Sequence, residues 1–347
     1  MRRCFYLILV FTIFSSAESY SQVIENAGDY MTQISSARVE MDQKYMAYIS
    51  AAAHSRRARK VEKLRGQTIE SIANAKSNTM GLPKYKGDNT LRQASIDYIQ
   101  ICYRIFNDDY SKIVNMEEIA EQSVDQMQAY LLLEEKTSEK LEEASGNLEQ
   151  AEKEFAAKYS VTLIDTKNEL SDKMTSAGFI NRYCDRLYIL FFKSNWEDGQ
   201  LFNALNNHKI NDAEQARNSL IHFSEEGLTA LKSDSLKDFK GNSGLANGCR
   251  QALEFYLNMA KNNIPKLTDF YLKQENFDKI KKGLEAKGNN RTKQDVDEYN
   301  KAVKDMNASV GSFNQLNQDL NKSRQEASKN WEEAERTFRD DLMPHYK

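Results

Sequence analysis

Ala144 to Phe155 reads ASGNLEQAEKEF, and Ala327 to Phe338 reads ASKNWEEAERTF. Seven of these twelve positions are identical, so two distant parts of the chain carry one pattern. Ala144, Leu148 and Phe155 fall on a helical spacing, as do Ala327, Trp331 and Phe338, and neither stretch alternates as a strand would.

Working outward, the apolar spacing continues far beyond each block. In the second it runs at three- and four-residue steps from Val296 through Tyr299, Val303, Met306, Val310, Phe313 and Leu320, with polar Asn317 and Arg324 interrupting it. In the first it is weaker, through Met127, Leu131 and Leu141. Such stripes sustained over several heptads are coiled-coil seams. The helices they define, about 116–159 and about 292–343, would span roughly 66 Å and 78 Å at 1.5 Å per residue. The apolar stripes need covering, and the expected cover is the other helices of the same chain.

Three further matches keep the same order. Leu82 to Leu91 (LPKYKGDNTL) matches Leu236 to Leu245 (LKDFKGNSGL), and the register holds onward, so that Asp108-Asp109 faces Asn262-Asn263 and Met116 faces Phe270. Lys44-Tyr45 matches Arg182-Tyr183, and Ile72 to Asn78 matches Leu228 to Asp234. Four matches in one order predict an internal duplication, with halves 22–160 and 161–347. Each half reads as four helices: about 25–53, 56–79, 90–107 and 116–159, then about 167–193, 211–232, 245–262 and a last element split into 266–286 and 292–343. Lys193 to Asp198 is expected to open a loop through about 210. Asn115 with Glu118 resembles a capping box, and Ser160 to Ile164 reads as the linker between halves. The fold class is all-α, an elongated helical bundle. Three prolines and 14 glycines in 347 residues agree with it.

Arg2-Arg3, the apolar run Cys4 to Phe14 and the small polar stretch to Gln22 have the layout of a secretory signal peptide, 1–21, cleaved after Ser21 or alternatively Ala17. The run is too short for a membrane-spanning helix, which needs about 20 residues. Without 1–21 the chain carries 46 basic and 50 acidic residues, a balance that gives no support to nucleic-acid binding. Cys102, Cys184 and Cys249 lie among apolar neighbours and read as buried thiols, with a Cys184–Cys249 disulfide left open. His54, His208, His222 and His345 are scattered, and no nucleotide, hydrolase or metal motif is present. No catalytic residue, cofactor or metal is therefore expected.

One stretch departs from this background. His54 to Arg65 (HSRRARKVEKLR) carries Arg56, Arg57, Arg59, Lys60, Lys63 and Arg65 against a single Glu62, at the first helix–helix turn. It reads either as a solvated turn paired with nearby carboxylates or as a site for an anionic partner: lipid headgroup, glycan or acidic protein. The Tyr85 to Asp88 and Phe239 to Asn242 turns have a sufficient structural reason, glycine at positive φ followed by a helix cap.

On Tyr45 to Arg65, Leu82 to Leu91, Tyr110 to Leu131 and Lys153 to Tyr159, the first half resembles a family of uncharacterised exported helical surface proteins of Bacteroidetes-type bacteria and spirochaetes. The resemblance implies export, a helical fold and surface association, and brings no activity or ligand. The expectation is a non-enzymatic envelope or surface protein, in the periplasm or at the cell surface, that binds or bridges. The alternative is a periplasmic ligand-binding or sensory module.

Overall fold

The structure, a computed structural model, describes residues 24–54, 57–109, 119–164 and 169–346. The expected signal peptide, Arg56 and the Asn115–Glu118 pair lie outside them. Among the described residues there is no strand, and the chain is all-α. In order come α1 (Ala27–His54), α2 (Ala58–Gly81), α3 (Thr90–Arg104), α4 (Val124–Lys158), α5 (Glu169–Asn206), α6 (Ile210–Ala230), α7 (Gly244–Asn258), α8 (Ile264–Ala286) and α9 (Lys293–Leu342). A π segment, Ile105–Asp109, follows α3, and another, Met259–Asn263, joins α7 to α8.

The helix ends have local causes. Ser123 caps α4, accepting from the Gln126 amide at 3.2 Å. Thr292 and Asp295 form a reciprocal capping box on α9, with bonds of 3.2 and 2.8 Å. Lys287 and this box hold the Asp295 carboxyl down, to about 2. α4 and α5 end on non-glycine residues in the left-handed region, Ser160 (φ 57°) and His208 (φ 56°). In each, the next amide reaches back to a last-turn carbonyl, Val161 to Ala156 at 2.8 Å and Lys209 to Ala204 at 2.9 Å.

Three boundaries differ from expectation. The long first-half helix begins at Val124, not near 116, where the Ser123 cap sets it. The third and fourth second-half helices are not separated, because the π segment carries the backbone through Pro265 at the start of α8. Lys193 to Asp198 does not open a loop; α5 continues to Asn206. Ser194, Asp198, Leu201 and Leu205 form one buried face there, so packing overrides the weak helical propensity of Ser, Asn and Asp.

The largest core lies in the second half, around Leu187, Leu220, Leu253, Trp331 and Phe338, and Met46 of α1 belongs to it. A smaller core under Ile72, Ile99, Cys102 and Leu148 holds the first half. The halves pack together through Met46, through the Arg182–Glu142 ion pair at 2.6 Å, and through the end of α1 against the end of α9. All three described cysteines are buried and free, Cys184 and Cys249 included, and burial pushes each thiol up to about 12.

Several parts of the halves repeat in detail. α3 and α7 have 15 residues each, begin 154 positions apart at Thr90 and Gly244, and lead into five-residue π segments. The turns before them share their backbone: Lys86 and Gly87 have φ of 48° and 85°, Lys240 and Gly241 of 52° and 87°. Each is closed by a two-way amide–carbonyl pair, Tyr85 with Asp88 and Phe239 with Asn242. The Tyr30 hydroxyl donates to the Pro83 carbonyl at 2.9 Å, and the Tyr183 hydroxyl to that of Leu236 at 3.1 Å. Tyr30 and Tyr183 thus tie down the two turns in the same way. Tyr45 instead packs edge-on against Phe106.

The seam of α9 is not covered throughout. From Leu320 to Phe338 it lies in the main core. Between Leu272 and Ser312 no residue is buried, and only α8 runs beside α9. Phe313 stacks on Phe270 at 3.9 Å at the root, and Phe277 meets Tyr299 at 5.9 Å further out. The 20 residues from Lys293 to Ser312 make a two-helix arm roughly 30 Å long. The expectation that other helices would seal the whole stripe fails, since no residue from Leu272 to Ser312 is buried.

Candidate functional site

The basic turn sits where α1 hands over to α2. Arg57 occupies the N-cap position with extended backbone, and no side chain caps the helix. The first turn of α2 contains no acidic residue, so Arg59 and Lys60 stand at the positive end of the helix dipole, an arrangement that costs about 0.3–1 kcal/mol per charge at low salt. Arg59, Lys60 and Lys63 are exposed and form no ion pair among the described residues. Arg57 is exposed as well.

Arg65 is different. Its Nη2 lies 2.7 Å from Glu62 Oε1, its Nε donates to both Glu62 oxygens, and its Nη1 reaches the Phe106 carbonyl at 3.4 Å. The hydrogen bond from Arg65 lowers the Glu62 carboxyl below its ordinary range. Of the six cations singled out in the sequence, Arg65 braces α2 against the end of α3, Arg56 is outside the described residues, and four face solvent.

His54, the last residue of α1, places Nδ1 3.3 Å from Asp340 Oδ1 and Nε2 3.2 Å from the Met343 carbonyl. Its ring stacks on His345 with centroids 3.9 Å apart, and the Tyr346 amide donates to Ser50 Oγ at 3.0 Å. The C-terminal residues thus clamp the end of α1. Spacing gave no sign of it, since nearly 300 positions separate the partners.

Two polar clusters inside the bundle escaped the sequence reading. Asp198, 4% exposed, receives Arg324 through Nε at 2.7 Å and Nη2 at 2.6 Å, and the Arg324 guanidinium lies 3.7 Å over Phe202. Burial raises the Asp198 carboxyl, and Arg324 opposes the rise. A signal was present: Arg324 interrupts an apolar seam, and Asp198 is in helical phase with Phe191, Leu201 and Leu205. In the second cluster burial, with Glu134 and Glu335 adding to it, pushes the Asp185 carboxyl up to about 7 against the pull of Arg339. Burial also raises Glu197 to about 7 and Asp42 to about 6. No three His, Cys, Asp or Glu among the described residues are placed to hold a metal ion.

An open groove of about 980 Å³ lies where the arm leaves the body. Phe270, Phe313 and Leu316 floor it, with Lys266, Lys273, Asp269 and Asp319 around it. No described helix is long and apolar enough to cross a membrane. No family model, curated protein or solved structure matches the chain.

Proposed function

We propose that this is an exported envelope or surface protein that works by binding or bridging, without catalysis, and that its basic turn takes an anionic partner: a lipid headgroup, an acidic glycan or an acidic protein. The observation that carries the reading is the exposed, unpaired trio Arg59, Lys60 and Lys63 on an uncapped helix start. A bound anion would offset the unfavourable first-turn charges, as anions do at helix N-termini elsewhere. The clamp by Asp340, Met343 and His345 supports it by holding His54 at the end of α1.

Replacing Arg59, Lys60 and Lys63 with Gln, leaving the bracing Arg65 intact, is expected to lower binding to anionic vesicles or envelope extracts about ten-fold in low salt. Binding that is unchanged and insensitive to salt sinks the anion reading. Mass spectrometry of the protein from its native cells tests export, with Gln22 the expected first residue.

The matched turns and the equal α3 and α7 support an origin by duplication of one four-helix unit. A second reading, a small-ligand or sensory module, draws on the groove at the arm's root, whose aromatic floor and charged rim suit an amphipathic molecule.

A further inference from the structure

The tip of the arm carries a second concentration of positive charge. From Lys281 to Lys293 (KKGLEAKGNNRTK) the chain bears Lys281, Lys282, Lys287, Arg291 and Lys293 against the single carboxylate Glu285. All five cations are exposed. Lys287 pairs with Asp295 at 2.6 Å, and Arg291 Nε donates to the Leu284 carbonyl at 3.0 Å. Lys281, Lys282 and Lys293 form no ion pair among the described residues. Because α8 ends at Ala286 and α9 begins at Lys293, these three lysines lie within about 8 Å of the arm's end. The turn behind them changes sign. There Glu275 pairs with Lys279 at 2.8 Å, and Asp278, Asp297 and Glu298 are exposed carboxylates. A helix hairpin closes on a convex end, so the lysines point outward and enclose no small ligand.

The position of this tip is set by α9, whose other end meets the basic turn. His54, which leads into Arg57, Arg59, Lys60 and Lys63, is bonded there to Asp340 and Met343. Lys293 and Asp340 stand near the two ends of this 50-residue helix, roughly 70 Å apart. Charge at either end is screened within about 10 Å at 0.1 M salt, so the two clusters act independently and no single headgroup spans them. We propose that α9 is a strut with a cationic contact at each end, the arm tip docking end-on to an anionic lipid surface while the basic turn holds a second anionic surface. A flat array of phosphates fits the tip better than an acidic polymer does. A polymer lying along the arm would meet Asp278, Asp297 and Glu298, whereas a surface met end-on stops at the lysines. The bridging rests on the reading of the basic turn as an anion site; the contact at the tip does not.

Vesicles of phosphatidylglycerol and phosphatidylcholine in equal parts, at low salt, are the probe, and light scattering reads their clustering. The full chain is expected to cluster them and to leave pure phosphatidylcholine vesicles dispersed, with apposed membranes about 70 Å apart in cryo-electron micrographs. Replacing Lys281, Lys282 and Lys293 with Gln, with Arg291 left in place, is expected to lower clustering about ten-fold. That variant still sediments with the vesicles through its basic turn. Replacing Arg59, Lys60 and Lys63 with Gln is expected to abolish clustering as well, leaving attachment by the arm. Clustering that survives loss of the tip lysines, or wild type that binds without clustering, overturns the arm contact and leaves the basic turn standing. Clustering that needs the tip lysines but not the turn cations keeps the tip contact and overturns the strut, together with the reading of the basic turn. Circular dichroism of the variants separates these results from misfolding.

Discussion

The two ends of α9 carry the same heptad pattern and meet opposite fates. From Leu320 to Phe338 the seam lies in the main core, with Trp331 stacked on Phe191 at 4.6 Å and Phe338 against Tyr183 at 5.4 Å. From Val296 to Phe313 the same spacing meets a single neighbour, and every side chain stays at least partly exposed. Periodicity thus states that a helix has an apolar face. It does not state how many helices cover that face, because the answer depends on where other segments turn.

The largest effect is expected where the seam is fully packed. Trp331→Ala should cost about 3–5 kcal/mol in urea unfolding, through lost contacts and the cavity left behind. Phe277→Ala in the arm should cost about 1 kcal/mol or less, since water already reaches its neighbours. Equal losses would break the comparison and mean that the arm is buried in solution by more than α8.

Next comes the polar interruption of the packed end. Arg324→Ala strands Asp198 in the core and is expected to cost about 3 kcal/mol, whereas Asp198→Leu with Arg324→Met should recover most of it. A loss under about 0.5 kcal/mol would show that the pair contributes little to the packed end. The third prediction concerns pH. Asp185 titrates at about 7 in the folded protein against an ordinary 3.8, so the native state holds its proton more tightly than the unfolded chain does. Its stabilising contribution is complete below about pH 4 and is lost as pH rises through about 7. Asp185→Asn is expected to leave stability unchanged near pH 4 and to raise it at pH 8, by about 4 kcal/mol at most. A variant that tracks wild type from pH 4 to 8 would remove Asp185 from the account.

Much of the fold was legible beforehand, and the reasons are local. The helix formers, the Gly87 and Gly241 turns and the Pro265 start act through nearest neighbours, so their outcomes follow from residue type. What was misread is long-range. The expected loop after Lys193 is helix because Ser224 and Arg324, 30 and 126 positions away, satisfy Ser194 and Asp198. The bond that the Tyr183 hydroxyl makes to the Leu236 carbonyl is repeated by Tyr30 on Pro83, a likeness between distant segments that spacing did not show. At the basic turn the sequence named the cations, and only the structure separated Arg65, tied to Glu62 and Phe106, from the exposed trio.

By itself the sequence determined that the chain is helical, where its glycine turns fall and which faces are apolar, since each follows from spacing and backbone sterics within a few residues. Tertiary structure decided which length of α9 is core and which is arm, which charges are paired, and that the C-terminal residues clamp the end of α1. Those outcomes depend on contacts between segments far apart in the chain, whose meeting no local pattern encodes.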